Sequence, residues 1–270
     1  MIHLPFIVNC SSAVLLVFLN RHLMKTCAFH YVGLLAAMHM GVTAVAALQQ
    51  APLSTQGAVL TKSEVFFFLN VTVISMISMN LSLLLNYVGV YQISKIAMIP
   101  TCCLLEYAFQ GKLLSRDRAL AITVVMCGVL TACVVQAASC DCGFVWLTHA
   151  LAFTFRTVSD VSSSVMGTAA AAMGVLSSSA HNVACAVLCK KYKIDSPTLV
   201  RETAPLQTVA LLLIGPLMDK ALMDSFPWQW EHASEPPGKC HSFIVLSCAL
   251  AAVVNISLVS CIKTYSATGA

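Results

Sequence analysis

The sequence predicts an all-α membrane protein, a polytopic bundle of about eight transmembrane helices. Three observations predict it. Of the 270 residues, 59% are apolar and only 10% are Asp, Glu, Lys or Arg, against roughly 25% charged in soluble chains. The apolar residues collect in runs near the length of about 20 residues that a helix needs to cross a hydrocarbon core. Those runs lack two-residue alternation, which makes them helical rather than the dyad-patterned strands of a barrel. Fifteen basic and eleven acidic residues leave a net charge of +4, far from the dense basic surface of a nucleic-acid binder. The expected surroundings are a lipid bilayer, with no nucleic acid as partner.

The first run, Leu4 to Leu19, lacks a basic start and a small-residue cleavage site, so it reads as an uncleaved span rather than a secretory signal. Ala28 to Leu48, Val65 to Leu85 and Val88 to Phe109 follow, and then a short fifth run, Ala119 to Val135. Ser164 to Leu188 is the sixth. The seventh, Ala204 to Leu222, carries Pro205, Pro216 and Asp219, which blur its ends. Phe243 to Ile262 is the eighth. Lys and Arg are retained on the cytosolic side of such bundles. A cytosolic amino terminus places Lys62, Lys112, Arg116, Arg118, Lys190, Lys191, Lys193, Arg201 and Lys263 in cytosolic gaps, against Arg21, Lys25, Arg156, Lys220 and Lys239 opposite. The balance favours that orientation. Most of the thirteen cysteines, among them Cys102, Cys103, Cys127, Cys133, Cys185 and Cys248, lie inside apolar runs. They read as small membrane-packing residues rather than a disulfide framework.

Residues 79 to 83 read MNLSL and residues 254 to 258 read VNISL. Both lie within spans, the third and the eighth, which is the echo that two inverted five-helix repeats would give. The expected organisation is a first repeat over 1–136, an insert or mis-spliced segment over 137–156, and three helices of a second repeat over 157–270. On this pattern a ninth and tenth helix would follow, and Ala270 comes before them. The segment holds Cys140 and Cys142 and then the apolar stretch Gly143 to Phe155, too short to cross. Zinc needs four ligands, and no second cysteine pair accompanies this one. No metal and no cofactor are expected.

The fourth span carries the candidate site, LNYVGVYQISKIAMIPTCCLLEYAF. Lys at a helix centre costs about 2.5 to 3.5 kcal/mol on insertion scales, and a charge inside the membrane is a functional hypothesis by default. Tyr91 lies one turn before Lys95 on the same face, Gln92 beside it, and Glu106 returns to that face about 16 Å further on. A cation, an aromatic plane and an amide suit a phosphate, a ring and a sugar hydroxyl. The structural alternative, a lysine that snorkels or pairs with a carboxylate, would demand a reach of about 10 Å to the nearer end of the span. Asn80, Asn86 and Asn255 are candidates for further hydrogen bonds, and equally for interhelical glue. His30 and His39 are read as packing residues.

The segment MNLSLLLNYVGVYQISKIAMIPTCCLLE resembles the third and fourth helices of the nucleotide-sugar/triose-phosphate translocator family, in the drug/metabolite transporter superfamily. The plant and algal branch carrying UDP-xylose, UDP-galactose or UDP-rhamnose is the most similar. ETAPLQTVALLLIGPLMD and FIVLSCALAAVVNISL resemble the seventh and eighth helices of that branch. The resemblance implies ten helices in two inverted repeats and no enzyme activity. It also implies antiport of a nucleotide sugar against a nucleoside monophosphate, in the Golgi membrane or alternatively the endoplasmic reticulum, with a homodimer left open. By resemblance Lys95 falls on the family's fourth-helix lysine near the phosphates, and Tyr91 and Gln92 fall on its Tyr-Gln pair. Asn20 with Arg21 stands where the family has Asn-Lys. The family's ninth-helix Lys-Thr motif has no counterpart, since Lys263-Thr264 follows the eighth helix too soon. Ala132-Cys133 and Thr157-Val158-Ser159-Asp160 resemble two sides of a junction the family runs through directly, as a retained intron or faulty gene model would leave them. Two other readings stay open: a non-transporting fragment that pairs with an intact carrier, and a carrier of phosphorylated three-carbon sugars.

Overall fold

The computed structural model describes residues 4–50, 60–86, 88–111, 115–138, 165–194, 196–223 and 236–266. They form eight α-helices and, among the described residues, no strand. In chain order these are α1 (Leu4–Lys25), α2 (Val32–Gln50), α3 (Lys62–Leu85), α4 (Val88–Gln110), α5 (Arg116–Ala138), α6 (Val165–Tyr192), α7 (Ser196–Met223) and α8 (Pro237–Ser266). The all-α reading therefore holds. Five of them, α1, α2, α3, α6 and α8, are long and apolar enough to cross a membrane, and Phe66, Phe109, Leu120, Leu217 and Val245 stand exposed on the outside. An outward apolar surface of this extent suits lipid rather than water. The Cys140, Cys142 segment, most of the 137–156 insert and the Thr157 junction lie outside the described residues.

Several helices outrun their apolar runs, each for a local reason. α1 continues past Leu19 to Lys25 because Arg21 turns its guanidinium to the carbonyls that end α3, those of Leu83, Leu84 and Asn86. These are the orphan acceptors of a helix C-terminus, and a cation is their natural partner. α2 starts only at Val32 because Ala28 takes a left-handed φ of 52° and breaks the chain direction. α6 runs on to Tyr192 where Lys191 and Tyr192 both reach Glu64 in the first turn of α3. α7 spans Pro205 and Pro216 without ending.

Three antiparallel pairs build the core: α3 against α6, α2 against α7, and α1 against α8. Small residues set the distances. A Cβ on Gly174 would lie 2.7 Å from Met79 Sδ, and one on Gly167 2.5 Å from Asn86 Oδ1. Backbone meets backbone between α2 and α7, where a Cβ on Gly33 would lie 2.5 Å from Gly215 Cα. Close backbone approach through small residues is how helices pack in membranes, where apolar burial alone does not drive association. Leu23, Met24, Leu35, Leu83 and Leu211 fill the centre of this main core.

Two findings depart from the reading of the sequence. Cys27 and Cys240 form a disulfide with Cα atoms 5.8 Å apart, so these two cysteines fasten the α1–α2 link to the start of α8 rather than pack in the membrane. Asp219, which in the sequence only blurred a span, is buried and accepts the backbone N–H groups of Gly33 at 2.8 Å and Leu34 at 3.0 Å. A carboxylate from α7 thus caps the first turn of α2, where orphan donors and the helix dipole both favour an anion. Replacing Asp219 by Ala leaves those buried donors unpaired, at a cost of about 1 to 3 kcal/mol. Thermal unfolding of detergent-solubilised protein should show a lowered midpoint, with Asp219→Asn falling between the two.

Candidate functional site

α4 positions three of the predicted site residues together. Its pattern places Tyr91, Lys95, Met98, Cys102 and Glu106 along one stripe, since residues three or four apart share a face. Lys95 Nζ sits 4.8 Å from the centroid of the Tyr91 ring, within cation–π range. Tyr91 is buried, while Gln92, Lys95 and Glu106 are half-buried. Among the described residues Lys95 forms no ion pair; the pair found there is Lys191 with Glu64. The ammonium is therefore held by a ring face, with its hydrogen-bonding capacity unspent on a carboxylate.

The far side of this stripe is α6, against which α4 mainly packs. Ser179 Oγ donates to the Met98 carbonyl at 3.3 Å, and Cys102 Sγ donates to the Ser179 carbonyl at 3.8 Å. Asn182, exposed and within the span, brings its amide to 4.0 Å from Cys102 Sγ. Ser179 and Asn182 escaped the sequence reading because neither is ionisable; only their register on α6 relative to α4 marks them.

The asparagines lie elsewhere. Asn86 closes α3: its amide donates to Ser82 Oγ at 3.0 Å and to the Gly167 carbonyl at 2.8 Å, and it is almost wholly buried. Asn255 on α8 donates to Thr43 Oγ1 of α2 at 2.8 Å. Both therefore join helices. Asn80 is half-buried on α3. Among the described residues neither Asn86 nor Asn255 hydrogen-bonds to Lys95.

Polar groups continue through the α1–α2–α8 interface. Ser247 Oγ donates to Asn20 Oδ1 at 2.5 Å, which leaves His39 Nε2 as donor to Ser247 at 2.8 Å. His39 thus packs, as read from the sequence, and also hydrogen-bonds. On the other pair, Thr72 Oγ1 lies 2.8 Å from Nδ1 of His181, whose ring stacks on Phe68. His181 went unremarked in the sequence. Among the described residues no group of three or more His, Cys, Asp or Glu could hold a metal ion.

No family model matches the chain. Among curated proteins it is 34% identical over 262 residues to UDP-rhamnose/UDP-galactose transporter 3 of Arabidopsis thaliana, a match covering 96% of this chain and 67% of that protein. It is 33% identical over 266 residues to UDP-rhamnose/UDP-galactose transporter 2 of the same plant, covering 96% and 68%. UDP-xylose transporter 2, again from Arabidopsis thaliana, is 26% identical over 254 residues, covering 91% and 62%. All three are carriers by name rather than enzymes. With about two thirds of the first two relatives' length spanned at a third of positions identical, and with a bundle of apolar helices to match, the chain belongs to the nucleotide-sugar transporters.

Proposed function

We propose that this multi-pass protein carries a nucleotide sugar, specifically a UDP-sugar, across the membrane in exchange for a nucleoside monophosphate. The observation that carries the proposal is Lys95, a cation near the middle of the apolar helix α4 with an aromatic face for company and no carboxylate partner among the described residues. An ammonium at a membrane-helix centre costs about 2.5 to 3.5 kcal/mol on insertion scales, and a phosphate that arrives with the substrate offsets that cost by charge-assisted hydrogen bonds. Tyr91 supports the ammonium from its ring face and offers a surface to the base or sugar, and Gln92 supplies donors and an acceptor. Asn80 is the remaining candidate for direct contact, while Asn86 contributes by holding α3 to α6, on which α4 packs, and Asn255 by tying α8 to α2.

The helix pairing supports two inverted repeats over 1–136 and 157–270. Exchanging each helix for the one five places on turns the α1 and α8 pair into α6 and α3, and returns α2 and α7 to themselves. The echo MNLSL and VNISL is offset by 175 residues, and the same offset separates Thr72, bonded to His181, from Ser247, bonded to Asn20. The repeats would rock about the α4 site, giving alternating access. A disulfide on one face suits a membrane of the secretory pathway, and the Golgi is the compartment proposed.

The test is uptake of labelled nucleotide sugars into liposomes holding the full chain and preloaded with UMP or GMP. UDP-sugar uptake driven by internal UMP is expected. Uptake of no nucleotide sugar, or uptake driven by GMP alone, would overturn the assignment.

A further inference from the structure

The contacts that tie the helices together differ between the two ends of the bundle. α1 and α3 end on one face, since Arg21 near the end of α1 reaches the carbonyls closing α3. α8 begins on that face, since Cys240 is bonded to Cys27. Glu64 in the first turn of α3, with Lys191 and Tyr192 in the last turn of α6, marks the opposite face. From Glu64 to the end of α3 the rise is about 32 Å at 1.5 Å per residue, close to a hydrocarbon thickness. Disulfides persist in oxidising compartments. The Cys27 face is therefore lumenal and the Glu64 face cytosolic, the orientation that the Lys and Arg distribution also favours.

The lumenal end is fastened by contacts that resist parting. The disulfide crosses from the α1–α2 link to α8. Asp219 of α7 caps α2, directly beside the backbone contact of Gly33 with Gly215. Asn86 bridges the end of α3 to the Gly167 carbonyl of α6. Ala28 keeps a left-handed turn between the Cys27 disulfide and the bond from Phe29 N–H to the Leu23 carbonyl, a conformation that persists only where its surroundings over-determine it.

The cytosolic end of the α3 and α6 pair is held differently. Lys191 Nζ lies 2.6 Å from Glu64 Oε1, and the Tyr192 hydroxyl donates to Oε2 at 2.5 Å. The lysine is exposed, and ion pairs of this kind are weak and yield to water and salt. Beneath them lies a small apolar cluster, Phe68, Leu188 and Leu199, separate from the main core.

We propose that Glu64 with Lys191 and Tyr192 is a latch over a seam between α3 and α6 that parts toward the cytosol while the lumenal ties hold, the cytosol-facing step of the rocking motion. The purpose of the motion rests on the carrier reading above; the geometry does not.

Cys185 and Cys189, neither of them in a disulfide, lie on α6 within two turns of the latch and report on the seam. The full chain in sealed vesicles is treated from the cytosolic face with a membrane-impermeant maleimide, and labelling is read by mass. Lys191→Glu should raise the labelling rate of these two thiols several-fold, and so should Glu64→Lys. The double reversal Glu64→Lys with Lys191→Glu should return it part of the way toward wild type, since the bonds Glu64 accepts from Thr61 are not restored; a fold merely damaged by either change would show no recovery. Cys27 and Cys240 should stay unlabelled in sealed vesicles, and in permeabilised vesicles until a reductant is added. Unchanged labelling in both single variants, no recovery in the double, or reactive Cys27 and Cys240 in permeabilised vesicles without reductant would each overturn the proposal. Should the labelling follow expectation while wild type exchanges no UDP-sugar, the carrier reading falls and the latch remains; the reverse result removes the latch alone.

Discussion

Lys95→Ala should weaken UDP-sugar binding by roughly 10- to 100-fold, the equivalent of one strong charge-assisted contact of about 1.5 to 3 kcal/mol. Uridine, which has no phosphate, should bind the variant as it binds wild type. The contrast follows from the placement of the ammonium, 4.8 Å from the Tyr91 ring centroid and away from the described carboxylates. A lysine that merely snorkelled would affect both ligands alike or neither. Thermal stabilisation of purified protein by UDP-glucose, UDP-galactose and uridine measures the difference. Folding is not expected to suffer, since removing an intramembrane charge relieves its insertion cost. Tyr91→Leu should produce a smaller loss of affinity, because it removes the ring face but leaves the charge.

Gly215→Val should abolish the folded state rather than tune it. A Cβ on Gly215 would stand 2.8 Å from the carbonyl carbon of Gly33 and 2.9 Å from its oxygen. Both are backbone atoms, which cannot swing aside as a side chain can. The two helices must separate, and the Asp219 cap on α2 separates with them. Overpacking typically costs about 1 to 3 kcal/mol, and more where the neighbour cannot move. Loss of the monodisperse peak in detergent chromatography is the expected readout. Gly89→Ala is the matched control, since nothing lies within 4 Å of a Cβ there, and helical Gly→Ala changes of that kind are neutral or mildly stabilising.

Much of this was legible from the residues in order. The eight helices follow from apolar runs, and the neighbours on α4 follow from 3.6-residue periodicity, which alone brings Tyr91 beneath Lys95. Periodicity is silent on contacts between distant segments. The Cys27 to Cys240 bond joins residues 213 apart, and the cysteines were read as packing because most of their kind sat in apolar runs. Asp219 looked like a defect in a span because a carboxylate's partner, the bare N-terminus of another helix, leaves no mark beside it in sequence. Ser179 and Asn182 were missed because Ser and Asn inside a helix signal nothing until the facing helix is known. Helix ends were misjudged wherever a polar side chain found a remote partner, as Arg21 did on α3 and Lys191 on Glu64. The five-residue echo has the same 175-residue spacing as Thr72 and Ser247, which each hydrogen-bond to a neighbouring helix.

The most direct measurement compares initial rates of labelled UDP-sugar entry into UMP-loaded liposomes for the wild-type chain and Lys95→Met at equal protein incorporation. Uptake by wild type with the variant at background is the result this account predicts; equal rates for the two would contradict it.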